Sequence, residues 1–163
     1  MSDRIAPAPP RAYCTFRLDG LLYGLPLETV REVGTLTECT PVPRAPEAIA
    51  GCVNIRGQIH LALDLRVLLG LTGPAPKHDR PLVLLQPAVA PATGVMVDTL
   101  GEIVFADNLR EELVPAPESP DPMRGGTDLI CRRCQLPTEL LAVLDPRRFL
   151  PWVERAISLA TTE

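Results

Sequence analysis

At 163 residues and a net charge of −4, the chain is long enough for one domain with a real core or two small, closely packed lobes. It lacks the positive charge that dominates nucleic-acid binding. Phe16, Phe105, Phe149, Trp152 and two tyrosines are too few aromatic residues for a base-stacking platform.

Residues 1–12, rich in proline and alanine, are expected to form a flexible N-terminal arm. Over 13–18, Cys14, Phe16 and Leu18 share one strand face and Tyr13, Thr15 and Arg17 the other. Asp19-Gly20 turns this strand into a second at 21–25. Residues 26–30 fit a short helical turn with proline tolerated at its start. Residues 31–37 return to strand, 40–47 form a proline-stiffened loop, and 48–50 a turn of helix. The chain is organised around the next stretch, 51–71. There 52–55 is a short strand and Arg56-Gly57 a turn. Ile59, Leu61, Leu63 and Leu65 then alternate with Gln58, His60, Ala62 and Asp64, the period of a half-buried strand. Asp64 caps a short helix over 65–69 that Gly70 ends.

Beyond a loop at 72–80, the apolar run 82–85 suits a strand buried on both faces. Strands at 94–97 and 102–106 follow, broken at 98–101. Asp107 could start a helix over 107–113, and the prolines and acids of 114–123 make a long exposed loop. Residues 129–136 and 140–144 form a last hairpin, turning at Pro137-Thr138. Asp145 caps a C-terminal helix with Pro146 at its first position. Phe149, Trp152, Val153, Ala156 and Ile157 give that helix one apolar stripe, and Pro151 is expected to break or kink it early. Nine or ten short strands with little helix argue for an all-β barrel or sandwich, with no internal repeat.

No apolar run reaches the roughly 18 residues of a membrane span, and residues 1–11 hold no signal-peptide core, so a cytosolic protein is expected. Five cysteines, an odd number, fit reduced thiols better than a disulfide framework. Cys131-Arg132-Arg133-Cys134 has the spacing of a redox couple or half a zinc site. Its flanks read as strand rather than the start of a helix, and the other cysteines and both histidines, His60 and His78, are scattered singly. Packed structural thiols are the favoured reading. His60 on a polar strand face and His78 in a loop are expected to face solvent. No phosphate-cradling glycine loop and no catalytic spacing appears. Glu32 and Arg56 are lone charges in strand-like apolar segments, so each must be paired or at the surface.

Asn54-Ile55-Arg56-Gly57, followed by Asp64-Leu65-Arg66, resembles the CheW family, the coupling proteins of bacterial chemotaxis. The resemblance extends to Tyr23-Gly24-Leu25-Pro26-Leu27-Glu28, Val30-Arg31-Glu32-Val33, Pro41-Val42-Pro43 and Ala45-Pro46. Downstream it takes in Gly94-Val95-Met96-Val97-Asp98, Leu144-Asp145 and Phe149-Leu150. These matches keep the family's order and spacing over residues 16–150, and the ordered set carries the resemblance. Leu61 departs from it, standing where the family usually has proline. Cys131 and Cys134 also depart, in a strand without special thiols in the family.

The resemblance implies two small SH3-like five-stranded barrel lobes in one CheW-like domain at 13–150, followed by a C-terminal helix and tail at 151–163. It implies a non-enzymatic adaptor, without metal or cofactor, that couples methyl-accepting chemoreceptors to the chemotaxis histidine kinase. The kinase's regulatory domain, built on the same fold, and the cytoplasmic hairpin tip of the receptor, held in a groove between the lobes, are the implied partners. Val30, Gly51, Ile55 and Gly57 match kinase-facing positions. Glu32 and Arg56 match an ion pair near the contacting face. The implied location is cytoplasmic, at receptor arrays on the inner membrane. Two alternatives stay open: a CheW-like scaffold of a surface-sensing or pilus pathway, and a thiol or zinc protein built on Cys131 and Cys134.

Overall fold

The architecture comes from a computed structural model that describes residues 11–35, 38–107, 109–115 and 126–161. All but the last two residues of the arm expected at 1–12, and most of the loop expected at 114–123, lie outside the described residues. The strands are β1 (Ala12–Leu18), β2 (Leu21–Pro26), β3 (Val30–Thr35), β4 (Ile49–Ile55), β5 (Gln58–Asp64), β6 (Pro81–Leu85), β7 (Thr93–Met96), β8 (Thr99–Phe105), β9 (Arg110–Leu113), β10 (Ile130–Gln135) and β11 (Leu140–Leu144). Among the described residues two α-helices accompany them, α1 (Leu65–Leu68) and α2 (Phe149–Thr161).

Local chemistry explains the joints. Asp19-Gly20 and Arg56-Gly57 both place two consecutive residues at positive φ (50° and 78°, 51° and 85°), the backbone that matches strand twist in a two-residue hairpin. Asp64 Oδ1 accepts the Arg66 backbone N–H at 3.0 Å and starts α1. Asp145 does the same for Arg147, opening a 3₁₀ turn at Pro146–Arg148 that runs into α2.

The strands form two sheets, ordered β8-β1-β2-β11-β10-β9 and β3-β6-β7-β5-β4. The chain begins in the first sheet, builds the second with β3 to β7, and returns to finish the first, so the second lobe is an insertion within the first. Each lobe encloses its own apolar interior. Tyr13, Leu22, Cys134, Leu141 and Val143 fill one, and Val53, Ala62, Leu82 and Leu84 the other. The largest core lies between them. Phe16, Leu18 and Leu25 of the first sheet meet Leu63, Val83 and Val95 of the second, with Phe149, Trp152 and Val153 of α2 closing over them.

Several expectations change here. The alternation of 13–18 and 58–65 in a barrel fold predicts Phe16, Leu61 and Leu63 in barrel cores; Phe16 and Leu63 are fully buried, but in the core between the lobes, and Leu61 is only partly buried. His60, expected in solvent, is 4% exposed, and Ile59 is 58% exposed. On β5 the face of His60 and Ala62 turns into the barrel while Leu61 and Leu63 turn to the central core, and Ile59 extends past that core's edge. Of the helix turn expected at 48–50, Ile49 and Ala50 instead begin β4, with Ala48 in the turn before it. The break expected at 98–101 shrinks to Val97-Asp98, and β9 was not expected. Pro151 does not break its helix. It sits in the first turn of α2, where a missing N–H leaves no hydrogen bond unmade.

Candidate functional site

The residues singled out around Arg56 gather at a seam in the second lobe. β3 and β4 are the two edges of that sheet. Thr40 and Cys52 tie the loop after β3 to β4 through a pair of backbone hydrogen bonds, 2.9 and 2.8 Å. Elsewhere the edges face each other across a groove of about 230 Å³. Leu82, Leu84 and Val53 line it with apolar surface, and Glu32, Val33, Gly34, Glu38, Ile55 and Arg56 also border it. Arg56 Nη2 donates to Glu32 Oε2 at 2.8 Å across the seam. The expected ion pair is formed. With Arg56 largely exposed, it is worth roughly 0–1 kcal/mol of stability.

The other residues of the set separate. Gly57 is exposed at the hairpin turn with open space around its α-carbon, so its own fold needs it for positive φ alone. Gly51 is buried, and a β-carbon there would collide with the Thr40 carbonyl and the Cys39 sulfur. Val30 and Ile55 do not share an outward face. A bulge between Val30 and Glu32 shifts the register of β3. Val30 is left half-buried against the central core, while Ile55 packs against the interior of the second lobe. Gly34 is the position that sequence reasoning missed. It lies mid-strand at an exposed edge, without positive φ and with nothing of its own chain above it. Glycine in such a place leaves room for another backbone.

A second apolar surface lies on the first lobe. Leu100, Ile103 and Phe105 of the edge strand β8 are 47, 52 and 63% exposed. They pair across the ladder with Phe16, Cys14 and Ala12. Cross-strand partners share a face, so these three side chains carry the face of the central core out to the surface.

Residues 12–154 match the family model described as the CheW-like domain. The chain belongs to the CheW family. Among relatives, the chemotaxis protein CheW of Rhizobium meliloti is 25% identical over 108 residues, 66% of this chain and 68% of that one. The probable chemotaxis protein CheW of Rhizobium etli is 27% identical over the same length, with the same coverage. The crystal structure of the scaffolding protein TtCheW from Thermoanaerobacter tengcongensis superposes with a TM-score of 0.69 at 23% identity. The match covers 83% of this chain and 89% of that one. It identifies the two lobes as the SH3-like barrels of the CheW fold, the first sheet here carrying six strands where five were expected. CheW proteins are non-enzymatic scaffolds of chemotaxis signalling.

The thiols of Cys131 and Cys134 pack as small hydrophobes against the interior of the first lobe. Cys131 and Cys134 lie three residues apart on β10, about 10 Å of strand, beyond the roughly 7 Å that a disulfide spans. Burial pushes both thiols up from their ordinary pKa, Asp145 adding to it at Cys131 and Glu111 at Cys134. Among the described residues no three His, Cys, Asp or Glu side chains gather to hold a metal ion. No helix there is long and apolar enough to cross a membrane. Beside Cys134, burial and the Glu111 carboxylate push the Tyr13 hydroxyl up to about 12. That hydroxyl donates to Glu111 Oε1 at 2.8 Å, and Arg11 and Arg132 pair with the same carboxylate. The cluster ties the edge strand β9 to β1 and β10.

The main feature that sequence reasoning missed is a buried charge network where the lobes meet. Arg66, Arg80 and Asp98 are 3, 7 and 7% exposed. Arg66 pairs with Asp98 at 2.5 Å and Asp19 at 2.6 Å. Arg80 grips both Asp64 oxygens at 2.9 Å. The rule that singled out Glu32 and Arg56, a lone charge in an apolar segment, applies equally to Arg66 in Leu65-Arg66-Val67-Leu68.

Proposed function

We propose that this CheW-family chain couples methyl-accepting chemoreceptors to the chemotaxis histidine kinase. The observation that carries the reading is the pair of separate apolar surfaces, one on each lobe. An adaptor needs two docking faces, and exposed apolar area in this arrangement marks partner contact. The seam between β3 and β4, bordered by Ile55 and bridged by the Glu32–Arg56 pair, takes the regulatory domain of the kinase; Gly57 is exposed at the adjoining hairpin turn, while Gly51 is buried under the loop after β3 and Val30 is half-buried against the central core. The strip of Leu100, Ile103 and Phe105, beside the junction of the lobes, takes the helical tip of the receptor. The protein then sits at the inner membrane through its receptors.

Val33 is 38% exposed on the groove and is the better probe of the kinase face, because Val30 also supports the core. Val33→Asp buries an unpaired carboxylate on docking. It is expected to weaken binding of the kinase regulatory domain at least tenfold, with the melting temperature and receptor binding unchanged. Phe105→Asp is expected to do the reverse. Isothermal titration with a receptor cytoplasmic fragment and the regulatory domain measures both. Wild-type protein that binds neither partner removes the coupling function, and variants that bind both normally remove these surfaces.

A further inference from the structure

The lobes are joined by a charge network built around one residue of the crossover between β7 and β8. The Val97 N–H donates to the Pro81 carbonyl of the second lobe, at 3.1 Å. The next N–H, that of Asp98, donates to the Arg17 carbonyl of the first lobe, at 3.2 Å. The Asp98 side chain repeats the division. Its Oδ2 accepts the Asp19 N–H of the β1–β2 turn at 3.0 Å and the Arg66 guanidinium of α1 at 2.5 Å. Its Oδ1 faces Arg80 at 3.6 Å and makes no hydrogen bond. Arg66 in turn holds the loop carbonyls of Gly73 and Pro74 at 2.8 and 3.1 Å, and reaches Asp19 of the first lobe.

Three carboxylates and two guanidiniums thus meet beside a core that would bury well without them. Apolar groups of similar volume at such a place are often as stabilising or more so. What charge pairs add is direction. Leucine and valine faces tolerate a small slide, whereas a forked guanidinium on a carboxylate fixes distance and angle.

We propose that Asp98, through Arg66 and Arg80, is the positioning residue that sets the angle between the two lobes, and so lets one molecule engage two partners at once. This use of the angle rests on the coupling function proposed above; the angle itself does not. Asp98→Leu combined with Arg66→Met removes the network's centre without stranding a buried charge, since Arg80 keeps Asp64 and Asp19 reaches solvent. Asp98→Asn keeps an acceptor for the Asp19 N–H and removes only the charge.

Residual dipolar couplings from the two sheets of the full chain report the lobe angle without any partner. The double variant is expected to melt near the wild type with a changed angle, and Asp98→Asn to show a smaller change in the same sense. With the receptor fragment and kinase regulatory domain together, the double variant should bind each alone within about twofold and form the ternary complex at least tenfold more weakly, about 1.4 kcal/mol. A folded double variant with the wild-type angle overturns the inference. So does a double variant that fails to fold while Asp98→Asn keeps that angle, because the network is then only structural. A changed angle with unimpaired ternary binding overturns the positioning role and leaves the coupling function standing. Partners that bind neither the wild type nor the variants, with the angle changed, count against the coupling function alone.

Discussion

Truncating β5 one position at a time tests where the core lies. Ile59, Leu61 and Leu63 share one face of that strand, yet they pass from 58% exposed through partly buried to 0%. Leu63 is paired with Ile49 on one side and Val95 on the other. Both flanking ladders hold the backbone, so the space left by Leu63→Ala cannot close by local collapse. Buried leucine truncation costs about 2–5 kcal/mol, rising with the cavity that remains, and this site belongs in the upper half, about 3–5 kcal/mol. For a chain of this length that lowers the melting temperature by roughly 2–4 °C per kcal/mol. Leu61→Ala should cost about 1–2 kcal/mol and Ile59→Ala less than about 0.5 kcal/mol. Guanidinium unfolding at unchanged m-value measures all three. A Leu63→Ala cost below about 1 kcal/mol, or an Ile59→Ala cost that equals it, would refute the placement of the core between the lobes.

Stability should fall as pH rises through about 10 to 12. The unfolded Tyr13 ionises near 10, and the folded one, with its pKa pushed up to about 12, holds its proton longer, so the folded state binds more protons across that window. In Tyr13→Phe this component of the pH dependence should be missing from unfolding curves, and an unchanged slope would contradict it. Replacing both Cys131 and Cys134 by serine should lower stability and leave partner binding intact. One zinc per wild-type chain, lost in that variant, would revive a metal role. Gly51→Ala should cost about 1–3 kcal/mol through the clash with the Thr40 backbone. Gly34→Ala, with open space above it, should leave the isolated protein as stable or slightly more so while weakening the kinase domain in titration. A Gly34→Ala variant that binds normally would argue against close backbone approach at that edge.

Much of the fold was legible because its punctuation is local. Asp19-Gly20 and Arg56-Gly57 declare their hairpins through positive φ, and Asp64 and Asp145 declare their helices through side-chain caps. What lay outside the reach of local pattern was which side of each strand meets which core. Alternation along β1 and β5 correctly separated two faces, but in this architecture both are buried, one inside a barrel and one between barrels. A polar residue such as His60 is therefore enclosed, and an apolar one such as Ile59 is exposed, according to how far along the strand the covering layer reaches. β9 escaped for a related reason. Arg110-Glu111-Glu112-Leu113 has the charged composition that keeps an edge strand from pairing further, and charge without alternation does not read as strand.

The site divides along the same line. Glu32 and Arg56 drew notice as charges in apolar surroundings and do pair, yet their bridge is exposed and contributes little to stability. Arg66 and Asp98 met the same criterion and are the more consequential case, because a charge enclosed on all sides must find partners wherever the fold can bring them. Beyond each other, their charge partners are Asp19 of the β1–β2 turn and Arg80 just before β6, the latter held in turn by Asp64 at the end of β5. Sequence spacing shows that a buried charge needs a counter-charge without showing which one. Only when the inserted lobe is folded against the strands on either side of it does the pairing become single-valued. A network with that property specifies the arrangement of the lobes, whatever it adds to their stability.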